Sequence, residues 1–135
     1  MRQTSLMLLV ILAVGVLLRA SLAVSQTAKP QPFVTQIQCS QVDCLLLTGT
    51  PQTAGMRSGF VRLVSGATVG WHTTGTNEET LVILHGEGKA LLEGQRDLAL
   101  AARLIAYFPP ATRHNILNTG KAPLEYVYVV APAAK

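Results

Sequence analysis

Turn-forming residues cut this chain into apolar runs too short to be independent helices. From residue 57 onward the runs are RSGFVRLV (57–64), KALLE (89–93), LIAYF (104–108), RHNIL (113–117) and LEYVYVV (124–130). Between them stand Ser65-Gly66, Gly86-Glu87-Gly88, Glu93-Gly94-Gln95, Pro109-Pro110 and Asn118-Thr119-Gly120-Lys121. Strands of about 5–8 residues bounded by Gly, Pro and Asn describe an all-β domain. A barrel or sandwich is the expected form, because closure hides the edges of so apolar a set of strands. Only LALAARL, residues 98–104, has a helix-like composition, and it is short for a helix standing alone. An earlier apolar run, Leu45 to Leu47, leads into a loop marked by Gly49, Pro51 and Gly55. No internal repeat is visible.

The N-terminal segment is a different kind of sequence. Arg2 is followed by an apolar run from Leu6 to Leu18, then by small residues around Ser21-Leu22-Ala23. That order describes a secretory signal peptide over residues 1–23, with cleavage after Ala23 and Ser25 as a second candidate. An uncleaved anchor is the alternative, although the run falls short of the roughly 20 residues a comfortable span needs. The expected location is therefore secreted or periplasmic, with no stable membrane span after cleavage. Residues 24–44 form a polar lead-in with Pro30 and Pro32, and residues 45–132 form the barrel. The formal charge is +4, and two of those charges belong to Arg2 and Arg19. No basic cluster interleaves with aromatics, so a nucleic-acid partner is not expected. Cys39 and Cys44 are the only cysteines. In an exported chain two such neighbours pair as a structural disulfide, while a redox site would show C-x-x-C spacing.

Residues 66–86, GATVGWHTTGTNEETLVILHG, read as a strand, a tight turn and a returning strand. Alternation places His72 and Thr74 on one face, and Glu79 on the returning strand faces them. Residues 109–118, PPATRHNILN, supply His114 near the start of another strand. Two imidazoles and a carboxylate are sufficient to hold a divalent metal such as iron, manganese or zinc. A hydrogen-bonded polar pocket without metal is the other reading of the same residues. His85 lies too far along the strand to join them, and Trp71 faces the opposite way. Thr74 and Asn118 are expected beside the bound ligand, although Asn before Thr-Gly is also ordinary turn chemistry. Tyr126 and Tyr128 share a face and are expected to pack in the core. Arg62 and Arg113 are the arginines considered for an anionic ligand.

The spacing G-x5-H-x-T-x4-E-x6-G from Gly66 to Gly86 resembles the first motif of the cupin superfamily. Pro109-x-Ala111-x2-His114-x3-Asn118 resembles the second. The resemblance implies a small β-barrel of jelly-roll type and assigns His72, Glu79 and His114 as metal ligands. It also makes a homodimer an expectation. Thr74 stands where the family usually has another histidine, and Arg103 and Ala111 stand where its second motif often has glycine. A site with three protein ligands and open positions suits a metal-dependent oxygenase or isomerase acting on a small oxygen-bearing molecule. A non-catalytic ligand-binding or structural barrel is the alternative, because fold does not choose between them.

Overall fold

The computed structural model describes residues 29–134. The expected signal peptide lies outside the described residues. No helix of the described residues is long and apolar enough to cross a membrane.

Eight strands follow one another: β1 (Asp43–Thr48), β2 (Arg57–Leu63), β3 (Asn77–His85), β4 (Glu87–Leu92), β5 (Leu98–Ala101), β6 (Ile105–Phe108), β7 (His114–Asn118) and β8 (Leu124–Pro132). They form a five-stranded sheet in the order β1-β2-β8-β3-β6 and a three-stranded sheet in the order β5-β4-β7. Every pairing is antiparallel. The all-β, two-sheet jelly-roll architecture follows from the strand patterning. The inward residues of β2, β3, β6 and β8, namely Val61, Leu63, Leu81, Ile83, Ala106, Phe108, Leu124 and Tyr126, meet Ala90, Leu100 and Ile116 of the smaller sheet in one apolar core. Burying these side chains is the main favourable term in folding, at about 25 cal/mol for each Å² of apolar surface removed from water.

One ambiguous segment is resolved and one local expectation is corrected. The helix-like LALAARL contains β5, with Leu98 to Ala101 paired to Ala90 to Glu87. Helix propensities differ by tenths of a kcal/mol per residue, and tertiary pairing outweighs them at this length. Residues 66–74 do not form a regular strand paired with β3. They run alongside β7 with two isolated bridges, Thr68 to Leu117 and His72 to His114. Four residue steps on one side thus span three on the other, which defines a bulge. Gly70, with φ 89°, absorbs it in a conformation that other residues adopt only with strain.

The positions where glycine was replaced tell the same story. Arg103 (φ 73°) and Ala111 (φ 61°) are the non-glycine residues with positive φ among the described residues. Each is held in place by its backbone: Arg103 N–H donates to Ile83 O at 2.9 Å and Ala111 N–H to Gly75 O at 2.7 Å. Cys39, ahead of β1, is joined in a disulfide to Cys44 within it.

Candidate metal centre

The two histidines are brought together by backbone pairing. His72 N–H donates to His114 O and His114 N–H to His72 O, both at 2.9 Å. Their rings leave the same side of that pair, with centroids 4.4 Å apart. Glu79 comes from the other sheet, between Phe108 of β6 and Val130 of β8. The sequence reading placed Glu79 across a hairpin from Thr74, and the structure instead places the carboxylate opposite both histidines across the interior. Phe108 stacks flat on the His114 ring, with centroids 4.1 Å apart and 2° between planes. That contact fixes the ring's orientation.

Proton positions follow from the partners. His72 Nδ1 lies 3.0 Å from Gly70 O, and His114 Nδ1 lies 3.0 Å from Thr112 O. A carbonyl only accepts, so each Nδ1 carries a proton and each neutral ring presents an Nε2 lone pair. Both lone pairs face one carboxylate oxygen. Glu79 Oε2 is 3.2 Å from His114 Nε2 and 3.9 Å from His72 Nε2. His114 Nε2 and Glu79 Oε2 are buried without a hydrogen-bond partner, because two acceptors that close cannot bond to each other. A cation must stand between them, either a proton or a metal. Burial pulls the His114 pKa down, but hydrogen bonding to Glu79 and Thr112 and the Glu79 charge outweigh it, so the net shift is upward.

The three candidate ligand atoms lie within 4.8 Å of one another, which suits a single ion bound by nitrogen and oxygen. The donor set therefore fits a divalent metal. His114 is wholly buried while the His72 side chain is 41% exposed, so access is from the His72 side. That side opens into a cavity of about 310 Å³ lined by His72, Thr74 and Glu79, by Tyr126 and Tyr128, and by Arg57 among others.

Several single residues are placed differently from expectation. Thr74 does line the cavity, and its hydroxyl donates to Asn77 O at 2.8 Å, tying down the turn before β3. Asn118 is not at the cavity. It is 1% exposed; its amide donates to Leu63 O and Ala122 O, and its carbonyl accepts from Gly120 N–H. Asn118 is thus a turn residue rather than a ligand contact. Arg62 is paired with Glu125 at 2.7 Å and Arg113 with Glu93 at 3.1 Å, so neither faces the cavity. Trp71 points outward beneath the Arg113 guanidinium, 5.9 Å away. His85 is exposed, its ring against Pro123 O, and takes no part in the triad.

Tyr126 and Tyr128 pack as expected but also form cavity wall. Burial raises the Tyr126 pKa far above its ordinary value, with Glu79 and Asp43 adding to the effect. Burial raises Tyr128 as well, followed by Asp43. Both phenols therefore stay protonated and act as neutral donors. Gly59 lies under Tyr128, where an added Cβ would fall 2.4 Å from the ring. The ring rests directly on bare backbone. Alternation predicts the shared face of the tyrosines; nothing local to β2 announces Arg57 as a cavity residue or Gly59 as the floor beneath Tyr128.

The comparisons agree with this architecture. The BH2720 protein of Bacillus halodurans superimposes with a TM-score of 0.67 at 20% identity, covering 80% of this chain and 86% of that one. A cupin protein from Bacteroides fragilis gives 0.63 at 21% identity, covering 78% and 88%. The Cnp3 cupin domain of Schizosaccharomyces pombe gives 0.61 at 19% identity, covering 67% of this chain and 64% of that one, a little under two thirds of its length. At these identities the likeness is one of fold. A search of curated proteins returned no match. The family model described as "Cupin domain" matches residues 59–130, more than half of the chain and every residue of the triad, and the chain accordingly belongs to the cupin family.

Proposed function

We propose that this cupin binds one divalent metal through His72, Glu79 and His114 and uses it to hold a small oxygen-bearing molecule in the adjoining cavity. The observation that carries this reading is the pair of Nε2 lone pairs converging on one buried, unpartnered carboxylate oxygen. Bound there, a metal would act as a Lewis acid toward ligand oxygens, or, if iron, in oxygenase-type chemistry. The chain's own residues do the rest. Gly70 O and Thr112 O fix the histidine tautomers, Phe108 fixes one ring plane, and the cavity wall orients the ligand with phenol donors. Thr74 leaves open the position that a further histidine would fill, so two ligand oxygens have room. The reading includes export, for which the apolar N-terminal run and the Cys39–Cys44 pair are the support.

A second reading, a binding barrel without catalysis, is favoured by the character of the wall. Tyr126 and Tyr128 are held protonated, and no further histidine stands at the cavity among its lining residues. The one other carboxylate on the wall is Asp43, which stands in the row of Val61 and Tyr126 rather than beside Glu79, so no general base adjoins the ligand set.

The test is to titrate iron(II), manganese(II) and zinc(II) into tag-free wild-type, His72→Ala and Thr74→His proteins. We expect one ion per wild-type chain, little in His72→Ala and tighter binding in Thr74→His. Negligible wild-type uptake beside a tight Thr74→His site would overturn the metal reading.

A further inference from the structure

The inner face of the larger sheet is ruled into rows by its register. Glu79 lies opposite Val130, and Val130 opposite Arg57. The next row holds Leu81, Tyr128, Gly59 and Leu45, and the one after it Ile83, Tyr126, Val61 and Asp43. Glu79 and Arg57 are therefore two strand spacings apart, about 10 Å between Cα atoms, with Val130 alone between them. All three line the same cavity.

The Arg57 stem runs beside Gly49. The residue is exposed overall, but its Cγ would be 3.2 Å from a Cβ at Gly49, a residue with φ 87°, so one side of the stem rests against bare backbone. Among the described residues Arg57 makes no ion pair, whereas Arg62 and Arg113 each make one. The other charge on the wall is Asp43. It pairs with Val61, four residues along β2 from Arg57, or about 13 Å at the usual rise. Arg57 thus lines the cavity it shares with Glu79 without a carboxylate paired to it.

We infer that Arg57 anchors an anionic group at the far end of the ligand, and that the ligand class is a short dicarboxylic acid. One carboxylate would sit at the metal site and the other on the guanidinium. The inference rests on the metal reading above. A planar guanidinium fork matches a carboxylate with two parallel hydrogen bonds. Val130 lies between the two ends, and Val61, Leu45 and Ile116 line the same cavity, a surface for methylenes. A cavity of about 310 Å³ lies at the small end of the range for ligand sites, which suits a chain of a few carbons.

The experiment is calorimetric titration of butyrate, succinate and glutarate into manganese(II)-loaded and metal-free protein, using wild type, Arg57→Gln and Arg57→Lys. In the loaded wild type a diacid should bind about tenfold tighter than butyrate, the scale of one charge-assisted bidentate contact. Arg57→Gln should erase that advantage while leaving butyrate and manganese(II) affinity unchanged, and Arg57→Lys should recover part of it. Equal affinities for butyrate and both diacids in wild type, or an advantage retained in Arg57→Gln, overturns the inference. Failure of manganese(II) to bind overturns the metal reading alone. The metal-free arm then decides: acid binding, by butyrate or a diacid, that Arg57→Gln abolishes upholds the anchor, and affinities unchanged by Arg57→Gln overturn it.

Discussion

Replacing Asn118 with alanine separates a structural role from a binding role at the residue where the sequence is most ambiguous. Three hydrogen bonds are lost together: to Leu63 O at 2.8 Å, to Ala122 O at 2.9 Å and from Gly120 N–H at 2.8 Å. They tie the end of β2 to the turn between β7 and β8. The Leu63 and Gly120 bonds are buried and the Ala122 bond is partly so. At about 1–2 kcal/mol for each buried group left without its partner and about 1 for the third, the cost is roughly 3–5 kcal/mol. A domain of this size has about 5–15 kcal/mol in total. The melting temperature should therefore fall by something on the order of 15–30 °C. Circular dichroism melts of metal-free protein measure this, and manganese(II) titration below the new midpoint measures the site. Metal affinity should stay within about threefold of wild type, a change of well under 1 kcal/mol. Asn118→Asp keeps the acceptor for Gly120 but turns the donors into an acceptor facing two carbonyls, so it should be destabilised at least as much. A melt within a few degrees of wild type, with metal or acid binding lost, would refute the reasoning and return Asn118 to the pocket.

Further predictions concern the triad and the backbone. His72→Ala or His114→Ala should each remove most of the metal, while His85→Ala should retain it, as elemental analysis of purified protein would show. The raised His114 pKa means that protons compete with metal at a higher pH than for an ordinary histidine, so at a fixed metal concentration occupancy should fall on acidification. The sign for the metal-free protein is opposite: a raised folded pKa contributes stability that is present below the unfolded value and lost as pH rises through the folded one. Urea melts across pH 5–9, with and without metal, should show the two trends diverge. Ala111→Gly should stabilise by about 0.5–1 kcal/mol, the left-handed penalty less the entropy of glycine. A destabilisation in chemical denaturation would show that Ala111 is not strained. Gly59→Ala should force Tyr128 off the backbone and weaken diacid binding with manganese(II) binding kept; a wild-type calorimetric profile would count against Tyr128 as cavity wall.

The sequence made the faces of strands readable but left their partners obscure. Period-two alternation put His72 and Thr74 on one side, and both do line the cavity. It could not say that His72 pairs with His114 rather than lying across a hairpin from Glu79, because alternation fixes orientation and not neighbour. The turn positions at Arg103 and Ala111 stood out because glycine was missing where the family pattern has it, and both have positive φ. Leu98 to Ala101 stayed ambiguous because leucine and alanine carry helical preference, and pairing to β4 is a long-range effect. Arg57 was silent for the same reason. Its significance arises only when β2, β8 and β3 are laid side by side, which is information held by the register and not by any local motif.

The triad draws its ligands from two sheets, since His72 and His114 belong with β7 while Glu79 belongs to β3. An ion seated there is a rivet through the sandwich, fastening one leaf to the other at a single point. Filling or emptying the site then alters how freely the leaves part, well beyond the few atoms that touch the ion. Amide hydrogen exchange in β3 and β7 should slow together when metal is added, while β1, at the far edge of its sheet, keeps its own rate.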